Sequence, residues 1–355
     1  MRIVVNDIAA SGGGGALSVL RSFHGYVRDH DEENDWVFLL GSDLLDESAH
    51  VRTIMLPAVK NSWLRRLFFD LVSGRYLLAS LKPDVVLSLQ NTFTYGARCP
   101  QIVYVHQSLP FQRAVNFSLW RGDERFLAIY QHVIGAIIKR SVRHATRVIV
   151  QTEWMRDAVV DQVGLSEDRV EAILPDLEDL SAYAFEGAPD AGAFFYPTAA
   201  YSYKNNDCIY MACRLLRQRG TVDFSVTMTV DSPSLDPNVV AIGRVPREQV
   251  LEMLSRSTLV FPSLVETYGV PLAEARALGV LVLAADLPYA REVLDGYSNA
   301  YFFDPKSPSE LAVLMSNIIN GNIVRRWDCP EVPRTGAWAR VVETIEYFGR
   351  GAGQV

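Results

Sequence analysis

The sequence predicts an α/β protein built from two doubly wound domains, each a parallel sheet with helices on both faces. Three observations carry that expectation. Short apolar runs alternate with helical stretches from residue 2 to residue 174, and the same alternation restarts at residue 193. Between them, residues 175–192 are rich in Asp, Glu, Ala and Pro and show no periodicity, as a linker would. The chain length of 355 residues suits two such domains better than one.

In the first half, strands are expected at 2–8, 36–40, 51–56, 84–89, 101–105, 147–151 and 169–174, with helices at 16–28, 63–81, 124–144 and 153–163. In the second half, strands are expected at 193–197, 223–230, 239–243, 258–261, 280–284 and 299–302. Helices fall between them at 206–219, 247–255, 271–277, 289–294 and 308–320. Pro246 precedes the 247–255 helix, at a first turn where its missing N–H costs nothing. A last helix over 335–348 carries Trp338, Val341, Val342 and Ile345 on one side. The domain organisation read from this is 1–175, a linker over 176–192, a second domain over 193–333, and a tail over 334–355.

Hydrophobic residues make up 49% of the chain and charged residues 21%, enough for a core in each domain without disulfides. Cys99, Cys208, Cys213 and Cys329 are scattered and form no C-x-x-C pair, so neither a zinc site nor a redox motif is expected. Cys208 and Cys213 read as small core residues on one helix. Met1 leads straight into a strand and no apolar run reaches the length of a membrane span, so a cytoplasmic protein is expected. The net charge of −7 is unevenly spread: residues 51–147 hold 14 basic against 4 acidic side chains. That stretch points the first half toward something anionic: a nucleic acid, or else a phospholipid surface or a lipid diphosphate. Its segment from Lys60 to Lys82 mixes aromatics with Lys60, Arg65, Arg66, Arg75 and Lys82; it reads equally as a helix lying on an anionic membrane or as a core helix with snorkelling cations.

The most informative stretch runs from Phe261 through Pro262, Ser263, Glu266, Gly269 and Pro271 to Glu274. It follows an apolar run and leads into a helix of small residues. A loop that turns into a helix aims unpaired N–H groups at whatever sits before it, and an anion suits them. With the helix starting near Val270, Glu274 falls on or just past the first turn and Glu266 lies on the loop. A nucleotide-sugar needs amides for its diphosphate and carboxylates for its sugar and ribose hydroxyls.

This string resembles the Glu-x7-Glu signature of retaining glycosyltransferases of the GT-B fold, most closely glycosyltransferase family four. The resemblance implies two Rossmann-like domains facing across a cleft, with the last helix crossing back to the first domain. It implies transfer of a sugar from a nucleoside-diphosphate sugar, of UDP-hexose or dTDP-rhamnose type, to a hydroxyl of a lipid-linked saccharide in cell-surface polysaccharide synthesis. Neither cofactor nor metal is expected; Asp29-His30-Asp31 matches a metal pattern of another glycosyltransferase fold but reads as a solvated acidic turn.

Residue by residue, the resemblance places Glu266, His106 and Lys204 in catalytic positions. Thr267, Tyr268, Gly269, Val270 and Glu274 fall on the donor side, and Gly13 and Gly14 of the run Gly12 to Gly15 lie beside the donor phosphates. His106 ends a strand and is followed by the Pro110-Phe111 pair of such enzymes. The family's Arg, a few residues before the Lys of its diphosphate clamp, is missing: Thr198, Ala199 and Ala200 stand there, and Arg244 is the candidate to complete the clamp. Two rivals accompany this reading. One is a nucleotide-sugar epimerase or phosphorylase on the same scaffold. The other is a nucleic-acid-binding protein, disfavoured because no nucleic-acid motif accompanies the basic stretch.

Overall fold

The computed structural model describes residues 1–10, 15–122, 124–185, 187, 189–231, 236–327 and 336–351. These form two compact units. One holds the described residues of Met1–Phe111, Leu127–Asp176 and Thr335–Val355; the other holds those of Gln112–Phe126 and Leu177–Arg334.

In chain order the elements are β1 (Arg2–Asp7), α1 (Gly15–His30), β2 (Asp35–Leu40), β3 (Val51–Met55), α2 (Pro57–Lys60) and α3 (Trp63–Phe68). A π-helical turn, Phe69–Ser73, joins α3 to α4 (Gly74–Leu81). Then come β4 (Val85–Ser88), β5 (Gln101–Val105) and α5 (Arg125–Ala128), which runs through a second π-helical stretch, Ile129–Ile134, into α6 (Gly135–His144). β6 (Arg147–Val150), α7 (Glu153–Val163) and β7 (Val170–Ala172) follow. The sheet has seven strands in the order β3-β2-β1-β4-β5-β6-β7, and all its pairings are parallel.

The next elements are β8 (Ala193–Tyr196), α8 (Asn206–Gln218), β9 (Ser225–Met228), β10 (Val239–Ala241), α9 (Arg247–Ser255) and β11 (Thr258–Phe261). They are followed by α10 (Val270–Ala277), β12 (Val282–Ala285), α11 (Pro288–Val293), β13 (Ala300–Phe303), α12 (Pro308–Ile319) and α13 (Ala337–Gly351). The second sheet has six parallel strands ordered β10-β9-β8-β11-β12-β13. In both sheets the strand order reverses beside the first strand, at β1/β4 and at β8/β11. Loops leaving the carboxyl ends of those neighbours diverge to opposite faces and leave a crevice.

The sequence dictates these layers directly. The central strands are apolar on both faces because helices cover both. In β1, Ile3 and Val5 pack toward α1 and α13, whereas Val4 packs with Phe69 and Leu78 on the other face. Val341 and Ile345 bring α13 onto the first sheet, where Trp338 Nε1 donates to Ser22 Oγ at 2.8 Å. In the second unit, Cys208 and Cys213 are buried on α8, which packs beside α12. Helix ends follow local chemistry: α7 stops at Gly164 in the left-handed region (φ 72°), and Ser307 caps α12 by accepting from the Glu310 amide.

The structure departs from the sequence reading at particular places. The short helix α2 was not expected; Pro57 opens it. The strand expected from Val280 begins at Val282, because Val280 N–H donates to Ala275 O in the turn after Gly279. Asp31 is not a solvated turn residue. It is buried and accepts from Asn34 Nδ2 at 2.8 Å and Trp36 Nε1 at 3.1 Å. Asp29 does face solvent, paired with Arg28 at 2.7 Å. Among the described residues no cluster of three metal-ligating side chains occurs, and no helix is long and apolar enough to cross a membrane.

The π-helical turn before α4 carries Asp70 into the interior, where Thr92 Oγ1 donates to it at 2.8 Å and Gln90 Nε2 at 3.2 Å. Burial pushes its carboxyl up to about 7, opposed by the Thr92 hydrogen bond and Arg66. A carboxyl raised in the folded state loses stability as pH rises from its unfolded value to its folded one. Asp70→Asn is therefore expected to be more stable than the parent at pH 8, by about 1–3 kcal/mol. That advantage should close as pH falls from 7 toward 4 in denaturant melts; a difference that stays constant with pH would contradict it.

Candidate active site

The crevice of the second sheet is built from the loops that follow β8 and β11. Parallel pairing of Thr258 with Phe194 and Leu259 with Phe195 sets these loops side by side. The first loop ends in a 3₁₀ turn, Ser202–Lys204, whose last carbonyl accepts from the buried Tyr196 hydroxyl at 2.9 Å. Asn205 follows in the left-handed region (φ 56°) at the cap position of α8. Its side chain does not cap the helix. Its Nδ2 donates instead to Pro262 O at 3.2 Å and Pro305 O at 3.0 Å, which ties the loop to the ends of β11 and β13. Leu264 N–H donates to Tyr203 O at 2.7 Å and closes the second loop against the first.

This bracing brings two predicted residues together. Lys204 Nζ lies 2.6 Å from Glu266 Oε1, and both side chains are mostly withdrawn from solvent. Burial acts to lower the Lys204 pKa, but the Glu266 carboxylate and Tyr196 outweigh it, and the ammonium is held above its usual range. The pair is thus a fixed cation beside a fixed carboxylate at a sheet switch point.

The start of α10 lies on the same loop. Gly269 caps it with φ 77°, a conformation that costs a residue with a side chain, and Pro271 sits in its first turn. The amides of Gly269 and Val270 donate to no group among the described residues, so they are available to an anion. Tyr268 is buried, Thr267 partly so, and Val270 is exposed.

Glu274, one turn on, is 2% exposed, and Arg247 Nη1 approaches its Oε1 at 2.6 Å. The approach is off the hydrogen-bonding direction, and Oε1 keeps no properly aligned donor. Burial raises the Glu274 pKa and Arg247 pulls against it. Arg247 also grips Glu178 Oε1, through Nε at 2.8 Å and Nη2 at 2.5 Å. Arg244, the expected substitute for the missing clamp arginine, is exposed and forms no ion pair among the described residues. The cation that approaches the buried acid is Arg247, three residues on, at the first residue of α9. Its position after Pro246 was legible, but its reach was not.

In the first unit, His106 ends β5, partly exposed, and its N–H donates to Asn91 Oδ1 at 2.9 Å. Burial pushes its pKa down to about 4, so the imidazole is neutral near pH 7. Gly13 and Gly14 lie outside the described residues. The sequence reading also passed over the polar ends of β1 and β4. Asn6 pairs in register with Ser88, and Asn6 Oδ1, Ser88 Oγ and Asp7 Oδ2 are buried without a hydrogen-bond partner among the described residues. The Asp7 carboxyl is pushed up to about 7 by burial, opposed by Lys60 and the Ala10 amide. An Asn-Asp pair closing an apolar strand was the available signal.

A model described as Glycosyltransferase Family 4 matches residues 13–175, and one described as Glycosyl transferases group 1 matches residues 230–327. No curated protein matches the sequence. Several solved structures share the fold. Lipopolysaccharide outer core galactosyltransferase WaaB, in apo form, is 14% identical with a TM-score of 0.61, covering 98% of this chain and 95% of its own. Anabaena HepE in complex with UDP and glucose is 15% identical with a TM-score of 0.63, covering 99% of each. WaaG, a glycosyltransferase involved in lipopolysaccharide biosynthesis, is 13% identical with a TM-score of 0.65, covering 97% of this chain and 99% of its own. A glycosyltransferase model thus matches part of each half, and the GT-B fold is shared along the whole chain.

Arg247→Ala leaves Glu274 buried without its cation, and a loss of about 1–3 kcal/mol is expected, reduced from a fully buried pair because Arg247 is half exposed. The loss should shrink as pH falls and Glu274 takes a proton, and Arg247→Ala with Glu274→Gln should recover most of it. Equal instability of the single and double variants at pH 8 in chemical denaturation would contradict the pairing.

Proposed function

We propose that the protein is a retaining, metal-independent glycosyltransferase of the family-four type, which moves a sugar from a nucleoside-diphosphate sugar to an acceptor hydroxyl. The observation that carries this reading is the Lys204–Glu266 pair at 2.6 Å, standing at the switch point of the second sheet on the loop that opens α10. Lys204 supplies a point charge for a phosphate oxygen. The Gly269 and Val270 amides add the positive end of the α10 dipole. Glu266 is then free to hold donor-sugar hydroxyls once the diphosphate takes over Lys204. Thr267 and Tyr268 shape the donor side. Glu274 takes the ribose hydroxyls, and Arg247 completes the cationic side in place of the missing clamp arginine. Gly13 and Gly14 are assigned to the donor phosphates. The UDP and glucose in the complex with HepE, which has this fold, support a UDP-hexose donor; a dTDP-rhamnose donor is the other member of the class.

In the proposed reaction the bond between the anomeric carbon and the diphosphate oxygen breaks, leaving positive charge on the sugar ring and negative charge on the diphosphate. Lys204 and the α10 amides stabilise that leaving group. The acceptor oxygen bonds to the same face, and its proton passes to the departing phosphate. Neither Glu266 nor Glu274 forms a covalent bond, unlike the paired carboxylates of retaining hydrolases. His106, neutral near pH 7, offers a hydrogen bond to the donor sugar rather than a charge.

The acceptor is a saccharide carried on a lipid in cell-surface polysaccharide synthesis, at the inner face of the plasma membrane. The excess of 14 basic over 4 acidic side chains in residues 51–147 supports an anionic surface as partner. The names of WaaB and WaaG, both tied to lipopolysaccharide, agree with such an acceptor.

Calorimetry with UDP and product analysis by NMR test this reading. Glu274→Ala should weaken UDP binding about tenfold, roughly one hydrogen-bonded charge. His106→Ala should lower kcat by about tenfold or more with donor affinity within a factor of about three. The new linkage should keep the anomeric configuration of the donor; an inverted product, or unchanged binding and turnover in both variants, would overturn the assignments.

A further inference from the structure

Polar side chains from remote segments gather at the carboxyl ends of β4 and β5 in the first unit. Gln90 lies just past β4 and Gln107 just past β5. Asp70 and Tyr130 each stand on a π-helical turn, within Phe69–Ser73 and Ile129–Ile134. Such turns are rare and recur at functional sites, where the widened backbone re-aims a side chain. Arg66 of α3 joins the two turns, because its charge acts on both Asp70 and Tyr130.

The hydrogen bonds of this cluster leave one donor and one acceptor unmet. Arg66 Nε is buried without a hydrogen-bond partner, and Arg66 enters no ion pair among the described residues. Asp70 does not need it. Thr92 Oγ1 donates to Asp70 Oδ2 at 2.8 Å and Gln90 Nε2 to Oδ1 at 3.2 Å. Burial raises that carboxyl to about 7, so near neutral pH it offsets the charge of Arg66 only in part. Gln90 Nε2 also donates to Thr92 Oγ1 at 3.1 Å. The amide cannot turn over without setting its oxygen against the Asp70 carboxyl, so its orientation is fixed. Gln90 Oε1 is therefore left buried with no donor among the described residues. On the other side of Arg66, Tyr130 is hydrogen-bonded to Gln107, whose Oε1 accepts from the Leu109 amide at 3.1 Å.

The cluster thus lacks an anion for Arg66 and a hydrogen for Gln90. An ionised phosphate supplies only the first, and a neutral sugar only the second. A sugar ring that bears a carboxylate supplies both, the carboxylate to the guanidinium and a neighbouring hydroxyl to the amide oxygen. We propose that Arg66 and Gln90 select an acidic sugar, a hexuronic acid unit of the acceptor saccharide. The inference rests on the acceptor reading above for its purpose and on the first unit alone for its geometry. It narrows the acceptor from a saccharide to an anionic one.

The test is titration of the full chain by ligand-observed NMR with the methyl glycosides of glucuronic and galacturonic acid, against those of glucose and galactose. Calorimetry with UDP runs alongside. The parent should bind at least one uronide about tenfold more tightly than its neutral counterpart, the worth of one charge-assisted contact. Arg66→Gln should bring the two within about twofold by weakening the uronide alone, since only the charged contact is lost. Arg66→Lys should keep a preference of about threefold, because a point charge still attracts a carboxylate without the guanidinium fork. Gln90→Glu sets a like charge beside the ligand and should weaken the uronide by about tenfold, with the neutral sugar within about threefold. Equal binding of acidic and neutral sugars by the parent, or no uronide binding, would overturn the proposal. So would a preference that survives intact in Arg66→Gln. Loss of both sugars alike in Arg66→Lys would mark a structural arginine and overturn it too. UDP affinity should be unchanged in every variant; absence of UDP binding in the parent would count against the glycosyltransferase reading and leave the uronide result standing.

Discussion

The parallel pairing of β8 with β11 is the constraint on which the candidate site depends. It places the ends of two strands, far apart in sequence, next to each other where the strand order reverses. Lys204 and Glu266 are 62 positions apart in the chain, and their contact exists only because those loops leave neighbouring strands. The left-handed Asn205 then locks the arrangement. By spending its amide on two carbonyls rather than on capping α8, it ties the first loop to the ends of β11 and β13. A helix cap is worth about 1 kcal/mol and is given up here for the geometry of a site.

The charges around α10 show a second principle. A fully buried carboxylate is costly unless a cation accompanies it. Glu274 is accompanied by Arg247, which itself leans on Glu178. The three form a charge chain that runs from solvent to the buried acid. Such a chain opposes the burial that raises the Glu274 pKa, yet leaves its Oε1 without an aligned donor among the described residues. A ribose hydroxyl donating to that oxygen would meet a need the protein does not meet itself. The first unit repeats the pattern in a different form: polar atoms of Asn6, Asp7 and Ser88 at its strand ends are buried and find no partner among the described residues, and burial raises the Asp7 pKa to about 7. Both sheets thus keep under-satisfied polar atoms beside their switch points, where the apolar core has ended.

Much of the fold was legible because its signals are local. The β5 and β11 strands and the α7 and α9 helices begin and end where apolar runs, Pro246 and Gly164 say they should. The helical stretches over 63–81 and 124–144 were foreseen, but not their π-helical turns, because a π turn is decided by what its side chains meet. Asp70 meets Gln90 and Thr92 from a distant loop. Asp31 was misread for the same reason: a run of acids looks solvated until Trp36 and Asn34 are seen to donate to one of them.

By itself the sequence determined the layered α/β architecture and the loop-to-helix junction that carries Glu266, Gly269 and Glu274. Those follow from periodicity and from residues whose backbone preferences are intrinsic, and they need no partner to be read. Only the tertiary structure decided that Lys204 faces Glu266 and that Arg247 reaches Glu274. Those are facts of distance between segments remote in the chain, and the energy of a charge depends on what stands within a few ångströms of it, which no local pattern encodes.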